Sequence, residues 1–274
     1  MIILDPTLSE WLNLLFRWMH VFAGIMWVGT TYYFTWLDAR LTEEEKAALN
    51  TGHAAEVWMV HSGGFYVVER RKTPDLVSRT LHWFRWEAGI TWLSGFALLV
   101  LLYYLGGGLL LEPESTISVP VAVAIGIGII VGCGVVYDVM MASPLGRHEK
   151  LFAVIAYVLI VAVSFGMTRV FTGRAAYIHL GAIFGTIMAA NVWMHILPSQ
   201  RRMIAALKEG RKPDEKLAAR AKLRSKQNTF MVVPVVFIMI SNHFPGTYGE
   251  HYNWIILSVL VLVGWIAAKF IRRA

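Results

Sequence analysis

Nine histidines occur in a chain that is otherwise dominated by apolar residues. Several fall inside long apolar runs, where an ionisable group is costly and needs a partner or a task. Neutral imidazole ligates haem iron well, and bundle interiors are where such a cofactor is held. His20 lies in Arg17-Trp18-Met19-His20-Val21-Phe22-Ala23-Gly24. Gly24 follows one helical turn later and would clear room for a flat macrocycle against the backbone. His179 has Ala182, Thr186 and Ala190 at i+3, i+7 and i+11, again a face of small residues. Both histidines stand towards the same end of their runs, which makes His20 and His179 the candidate axial pair for haem iron, with Gly24 beside them. The plainer alternative is small-residue helix packing around a satisfied histidine.

The alternate ligands are His82, His195 and His243. His82 has Trp86 and Gly89 at i+4 and i+7, and His195 shares a face with Asn191. These two form a second, inner site or are interfacial polar groups. Sixteen residues separate His179 from His195, about 24 Å and about 160° of rotation along a helix, so one macrocycle cannot use both.

A second constellation suits proton transfer and a planar ligand. Glu87, Thr91 and Ser94 make a polar stripe at i, i+4 and i+7. A carboxylate there that faces a bundle interior could accept a proton; pairing with Arg85 is the structural alternative. In His61-Ser62-Gly63-Gly64-Phe65-Tyr66-Val67-Val68-Glu69 a glycine pair permits tight backbone geometry between an imidazole, two aromatic faces and a carboxylate. His61, Glu69 and Glu87 are therefore the candidate catalytic groups, and Phe65, Tyr66 and His82 the candidate substrate contacts. Gly-Gly pairs also serve plain turns. Arg169 reads as a snorkelling side chain, and Ser241–Gly249 as a helix end followed by a turn.

These residues must be positioned by helices in a bilayer. The chain of 274 residues is 57% hydrophobic and 16% charged, with mean hydropathy +0.55, whereas a soluble domain carries roughly 25% charge. A spanning helix needs about 20 apolar residues. The candidates lie near 12–36, 84–106, 119–141, 151–171, 176–197, 227–243 and 253–271. The fold expected is an all-α, polytopic transmembrane bundle of about seven spans, forming a single integral membrane domain over 1–274. Pro234 should kink the sixth span. The stretch 53–69, interrupted by His53, Glu56, His61 and Glu69, reads as an interfacial or re-entrant helix. Residues 198–228 read as a basic cytoplasmic loop with a solvated helix lying against anionic headgroups. The first run is too long for a signal peptide and is expected to be a retained span.

Orientation follows from basic residues in the connections. With the N-terminus outside and the C-terminus in the cytoplasm, all of the 25 Lys and Arg residues except Arg17, Arg169 and Arg174 fall inside. That distribution explains the net charge of +7 and leaves no case for a nucleic-acid partner. The outer connections carry Asp5, Glu10, Glu112, Glu114 and Glu250. They are either ordinary loop polarity or a docking face for a basic partner such as a c-type cytochrome. The single cysteine, Cys133, excludes a disulfide framework, a thiolate metal cluster and covalent haem attachment.

Several ordered blocks together resemble the membrane domain of the bacterial urate hydroxylase family (PuuD-type). They are Trp11–His20, His61–Glu69, Thr80–Glu87, Thr91–Phe96, Ser143–Arg147, Gly173–Ala176, Gly185–Val192 and Ser241–Gly249. The resemblance runs over nearly the whole chain. It implies oxidation of urate to 5-hydroxyisourate at the bacterial inner membrane, with electrons passed to a soluble or membrane-attached cytochrome c. Members of that family often continue into a further span and a cytochrome c domain, whereas this chain stops at Arg272-Arg273-Ala274. The acceptor is then a separate protein, or a changed one. The pattern around His20 is also similar, over a shorter stretch, to membrane haem proteins of the HemJ type, in which such a histidine is linked to b-haem. One or two b-type haems, membrane lipid and further copies of the chain are the implied associates. The alternatives are another haem-linked oxidoreductase acting on a porphyrinogen or quinol, and a urate or purine transporter.

Overall fold

The computed structural model describes residues 5–51, 55–71, 80–105 and 108–272. His53, Lys72, Arg79 and Arg273, which entered the charge pattern and the 53–69 segment, lie outside the described residues. The first helix, α1 (Pro6–Thr51), begins at a capping signal: Asp5 Oδ1 accepts from the Leu8 amide at 3.0 Å, and Pro6 occupies the first turn. Its 46 residues reach about 69 Å, more than twice the ~30 Å hydrocarbon core of a bilayer.

Over its described residues, the segment 53–69 is not the interfacial or re-entrant helix expected. It is a β-hairpin of β1 (Glu56–His61) and β2 (Gly64–Glu69), in register from Glu56↔Glu69 to His61↔Gly64. Two physical reasons override the helical reading. Val57, Trp58, Val60, Phe65, Tyr66, Val67 and Val68 are the β-branched and aromatic types that suit a pleated surface. Ser62 and Gly63 both adopt positive φ, 49° and 77°, as a tight two-residue hairpin turn requires. Cross-strand partners share a face. Val57, Met59 and Val68 pack on Leu37 and Leu41 of α1, while Trp58, Val60, Phe65 and Val67 face outward. Arg70 anchors the hairpin to α1 through Glu45, at 2.6 and 2.9 Å, and through Asp38. The Glu45 carboxylate, with Asp38, holds the Arg70 guanidinium above its ordinary pKa.

The remaining helices form the bundle. They are α2 (Trp86–Leu99, continuing as a π-helix over Val100–Leu105), α3 (Val119–Ala142), α4 (Glu149–Val170) and α5 (Gly173–Ala190). α5 runs on through a second π-helical stretch, Asn191–Ile196, into α6 (Leu197–Lys208); α7 (Glu215–Ser241), the one-turn α8 (Pro245–Tyr248) and α9 (Asn253–Ile271) follow. Among the described residues six helical stretches are long and apolar enough to cross a membrane. α5 is the central one: 61% of its apolar window is buried, against 17% for α3 and for α4. The outward faces of α3 and α4 are rows of valine, leucine and isoleucine such as Val131, Val135, Val139, Val154 and Val158. Such surfaces suit lipid and not water.

The stretch 227–243 falls short of those six by length and composition, because the first half of its helix, α7, is basic. Its second half nevertheless runs beside α5 from end to end. Asn228 donates to the Met188 carbonyl at 3.0 Å, and Asn242 accepts from Arg174 Nε at 3.0 Å. α7 stays helical through Pro234, and Gly264 of α9 leaves the ring room to pack: a Cβ there would lie 2.9 Å from Pro234 Cδ. The expected basic loop 198–228 is the antiparallel helix pair formed by α6 and the start of α7. One end of the bundle collects the basic residues, tied by Lys222–Asp38 at 3.2 Å and Lys226–Glu149 at 2.6 Å. The opposite end holds the starts of α5 and α9.

Close approach there gives a test of the packing. A Cβ at Gly173 would collide with the Tyr248 carbonyl oxygen, whereas one at Gly185 meets nothing within 4 Å. Gly173→Ala should lower stability by about 1–3 kcal/mol through overpacking. Gly185→Ala should be neutral or raise it by up to about 1 kcal/mol through helix propensity. Thermal unfolding of the detergent-solubilised variants measures both.

Candidate functional site

Three polar groupings interrupt the apolar bundle. The first surrounds the two histidines proposed as an axial pair. On α1, His20 turns towards α2, with Nδ1 2.9 Å from the Thr91 carbonyl oxygen and Ser94 Oγ 3.4 Å away. A carbonyl only accepts, so Nδ1 carries the proton and Nε2 keeps its lone pair. Two members of the Glu87–Thr91–Ser94 stripe therefore hold His20. The glycine that makes room for the ring is Gly95, where a Cβ would come within 2.7 Å of Cε1. Gly24, expected to clear room for a macrocycle, makes only ordinary contact with the Thr91 methyl, 3.9 Å from a Cβ placed on it.

His179 on α5 is fully buried, with no exposed surface. Its Nδ1 donates to the Ala175 carbonyl at 2.7 Å, and its Nε2 accepts from the Tyr104 hydroxyl at 3.0 Å. The ring stacks on Phe171 with centroids 4.6 Å apart and an interplanar angle of 16°. Gly126 on α3 provides clearance, since a Cβ there would reach 2.7 Å from Nε2. The two histidines thus share one tautomer, with Nδ1–H on a backbone carbonyl and Nε2 as the lone-pair nitrogen. Metal-bound imidazoles are commonly fixed in this way; the donor chemistry of His20 fits haem ligation, whereas His179 Nε2 is already taken by the Tyr104 hydroxyl and backed by Gly126. The structure does not bring His20 and His179 into contact; each is held by different neighbours. Tyr103, its ring 6.4 Å from that of His179, reaches Asn242 Oδ1 at 3.4 Å, which also accepts from Arg174.

The second grouping lies at the basic end. Asn191 and His195 sit in the π-helical stretch of the α5–α6 helix, where the turn is wider than an α-turn. Arg220 Nη2 donates to His195 Nδ1 at 2.5 Å, so His195 Nε2 carries the hydrogen that goes to Asp138 Oδ1 at 2.7 Å. This is the opposite tautomer to that of His20 and His179, and both ring nitrogens are engaged. Arg224, only 4% exposed, binds Asp138 at 2.6 Å and Asn191 Oδ1 at 3.0 Å, with its guanidinium 5.4 Å from the Tyr137 ring. Asn191 Nδ2 donates to Tyr137 at 3.0 Å and to Asn228 at 2.8 Å. Sequence reasoning paired His195 with Asn191 but missed Tyr137, Asp138, Arg220, Arg224 and Asn228. An arginine amid a solvated basic run gives no signal that it turns inward.

The third grouping contains the expected catalytic and substrate residues, and they are spread out. His61 is exposed at the hairpin turn. Glu69 lies at the far end of β2, five residues and about 17 Å away; it sits on the other face, opposite Glu56 and paired with Arg71. Phe65 is 80% exposed, and Tyr66 is exposed on the opposite face. His82 is exposed and meets Phe84 edge to face at 4.6 Å; Phe84 packs on Phe34 of α1 at 4.9 Å. The hairpin reaches the neighbouring residue, Tyr33, through Met59. Thus α1 holds the hairpin and the His82 segment on one stretch. Glu87 is half-buried in the first turn of α2. Beside it the Arg85 guanidinium lies 5.5 Å from the Trp86 ring, with Nε buried and unpartnered among the described residues. His243 is exposed past the end of α7. No group of three or more His, Cys, Asp or Glu side chains gathers as metal ligands among the described residues.

The network around Arg224 can be dissected. Asp138→Asn removes the counter-charge of a buried guanidinium and should cost about 1–3 kcal/mol. Removing both charges, as Asp138→Asn with Arg224→Met, should cost less than the sum of the single changes, so that a double-mutant cycle returns a coupling of about 1 kcal/mol or more.

No curated protein and no solved structure matches the chain. The family described as urate oxidase N-terminal matches residues 6–274, which takes in every helix, the hairpin and all three polar groupings. The chain belongs to the urate oxidase N-terminal family.

Proposed function

We propose that the protein is a membrane-bound, PuuD-type urate hydroxylase of the bacterial inner membrane. Urate and water become 5-hydroxyisourate, two protons and two electrons, and the electrons leave by way of b-type haem to a cytochrome c. Family membership supports the substrate. The observation that carries the redox assignment is the tautomer shared by His20 and His179, each with Nδ1 on a backbone carbonyl and Nε2 as the lone-pair nitrogen, which at His179 holds the Tyr104 hydroxyl. Haem, if bound there, would supply one-electron steps between a two-electron substrate and a one-electron acceptor.

The chain's own residues suit the substrate at the basic end. Urate is a planar anion at neutral pH. Arg85, with its unpartnered Nε, offers it a counter-charge, and Phe84 and Trp86 offer flat faces. Glu87 accepts the proton that leaves as urate is oxidised, and His82 orients the ring. Seven residues along α2 separate Glu87 from Ser94, about 10 Å, so this site lies close to the histidine that Thr91 and Ser94 hold. The hairpin, with His61, Phe65, Tyr66 and Glu69, acts as a wall; its register keeps His61 and Glu69 too far apart to work as one acid–base pair. At the opposite end Glu112, Glu114 and Glu250 are exposed and offer a basic cytochrome complementary charge.

An anaerobic optical spectrum tests the reading. Urate alone should sharpen the α and Soret bands of purified protein, and His20→Ala or His179→Ala should lose haem or change its spectrum. A haem content and spectrum unaltered by His20→Ala would remove that ligand. Glu87→Gln should lower kcat by about 10²–10⁴-fold, as loss of a general base does, with haem content intact. Urate taken up into liposomes unchanged, with no reduction of any acceptor, would replace the enzyme with a transporter.

A further inference from the structure

A large cavity takes no part in this chemistry. It is a crevice of about 980 Å³ between α3, α4, α5, α7 and α9. One side of α4, at helical spacing from Phe152 through Ala156, Ile160 and Val163 to Met167, forms a wall. Its floor is Leu180, Ile183 and Ile187 of the central helix α5. α4 is tied to α9, where Tyr157 donates to the Ser258 carbonyl at 3.1 Å. It has few contacts with its sequence neighbour α3, and the gap between those two is the crevice. Along α4 it extends about 22 Å, longer than the ~15 Å of one leaflet's hydrocarbon. Val136, Leu159 and Ile266 on its edges belong to the exposed apolar surface, so it is open sideways to lipid.

Its mouth has the opposite chemistry. Lys150 from the start of α4, Lys226 from α7, and Lys269 and Arg272 from the end of α9 converge there with a single carboxylate, Glu149. Glu149 pairs with Lys226 at 2.6 Å, and the Arg272 guanidinium lies 5.5 Å from the Phe230 ring. Four cations against one anion at one end of an apolar slot match a molecule with an anionic head and a long apolar tail.

We propose that this crevice binds one anionic phospholipid, with its phosphate at Lys150, Lys269 and Arg272 and an acyl chain along α4. A cationic mouth favours a phosphodiester with no compensating ammonium over a zwitterionic lipid, and gives a neutral quinone ring no reason to prefer it. The site is independent of the urate reaction and stands whether or not that reaction does.

Native mass spectrometry of the full chain in mild detergent, given equal amounts of dioleoyl phosphatidylglycerol and dioleoyl phosphatidylcholine, tests the proposal. One phosphatidylglycerol should be retained preferentially. The combined Lys150→Gln, Lys269→Gln and Arg272→Gln variant should lower that preference by about tenfold or more. Ala156→Phe, which fills the slot and leaves the mouth intact, should lose the lipid as well. On the unaltered protein, phosphatidylglycerol but not phosphatidylcholine should raise the unfolding temperature, a reading that does not depend on the variants folding. Equal retention of the two lipids, or displacement of the bound species by inorganic phosphate alone, would overturn the site. So would a co-purifying isoprenoid quinone indifferent to the charge variants, or a dimer that buries the crevice and excludes lipid.

Discussion

A polar group on a helix surrounded by apolar side chains must find its partner inside the protein, because no water is there to take its place. α5 and its continuation carry several such groups, His179, Asn191 and His195 among them, and the partners arrive from several helices. Tyr104 comes from the end of α2 to His179, Asp138 and Tyr137 from α3, and Arg224 and Asn228 from α7 to His195 and Asn191. Tyr177 donates to the carbonyls of Thr247 and Asn253 at 2.5 and 2.8 Å, and so fixes the α8–α9 connection. The bundle is organised around the needs of one helix.

The two π-helical stretches are where those needs are met. Val100–Leu105 carries Tyr103 and Tyr104, and Asn191–Ile196 carries Asn191 and His195. A π-turn accommodates extra residues per turn and re-aims the side chains on it, at the expense of weaker backbone geometry. In both places the re-aimed groups bond a buried partner.

Much of this was legible in the sequence where the signal is local. Apolar runs of spanning length give the helices, and clustered Lys and Arg give the basic end, because both depend on neighbours in the chain. The hairpin was not legible as such: an apolar aromatic stretch of that length suits a helix or a strand, and only the turn at Ser62-Gly63 decides. The His20 ring finds its clearance against Gly95 of α2, which the spacing along α1 does not point to. Arg224 and Asp138 stand 86 residues apart, and nothing in either local context announces the other. Tertiary partners decide such positions, and helical periodicity carries no information about them.

The length of α1 has a consequence of its own. The hairpin is attached near Leu37 and Leu41, while His20 on the same unbroken rod is fixed against α2. One residue inserted between these points would swing the hairpin by about 100° around the bundle and lift it about 1.5 Å; seven would restore its bearing to within about 20° and lift it about 10 Å. The compass direction in which the hairpin points is therefore written in a residue count. Changes in that count preserve the direction only where they come close to a whole number of turns, and each such change alters how far the hairpin stands from His20.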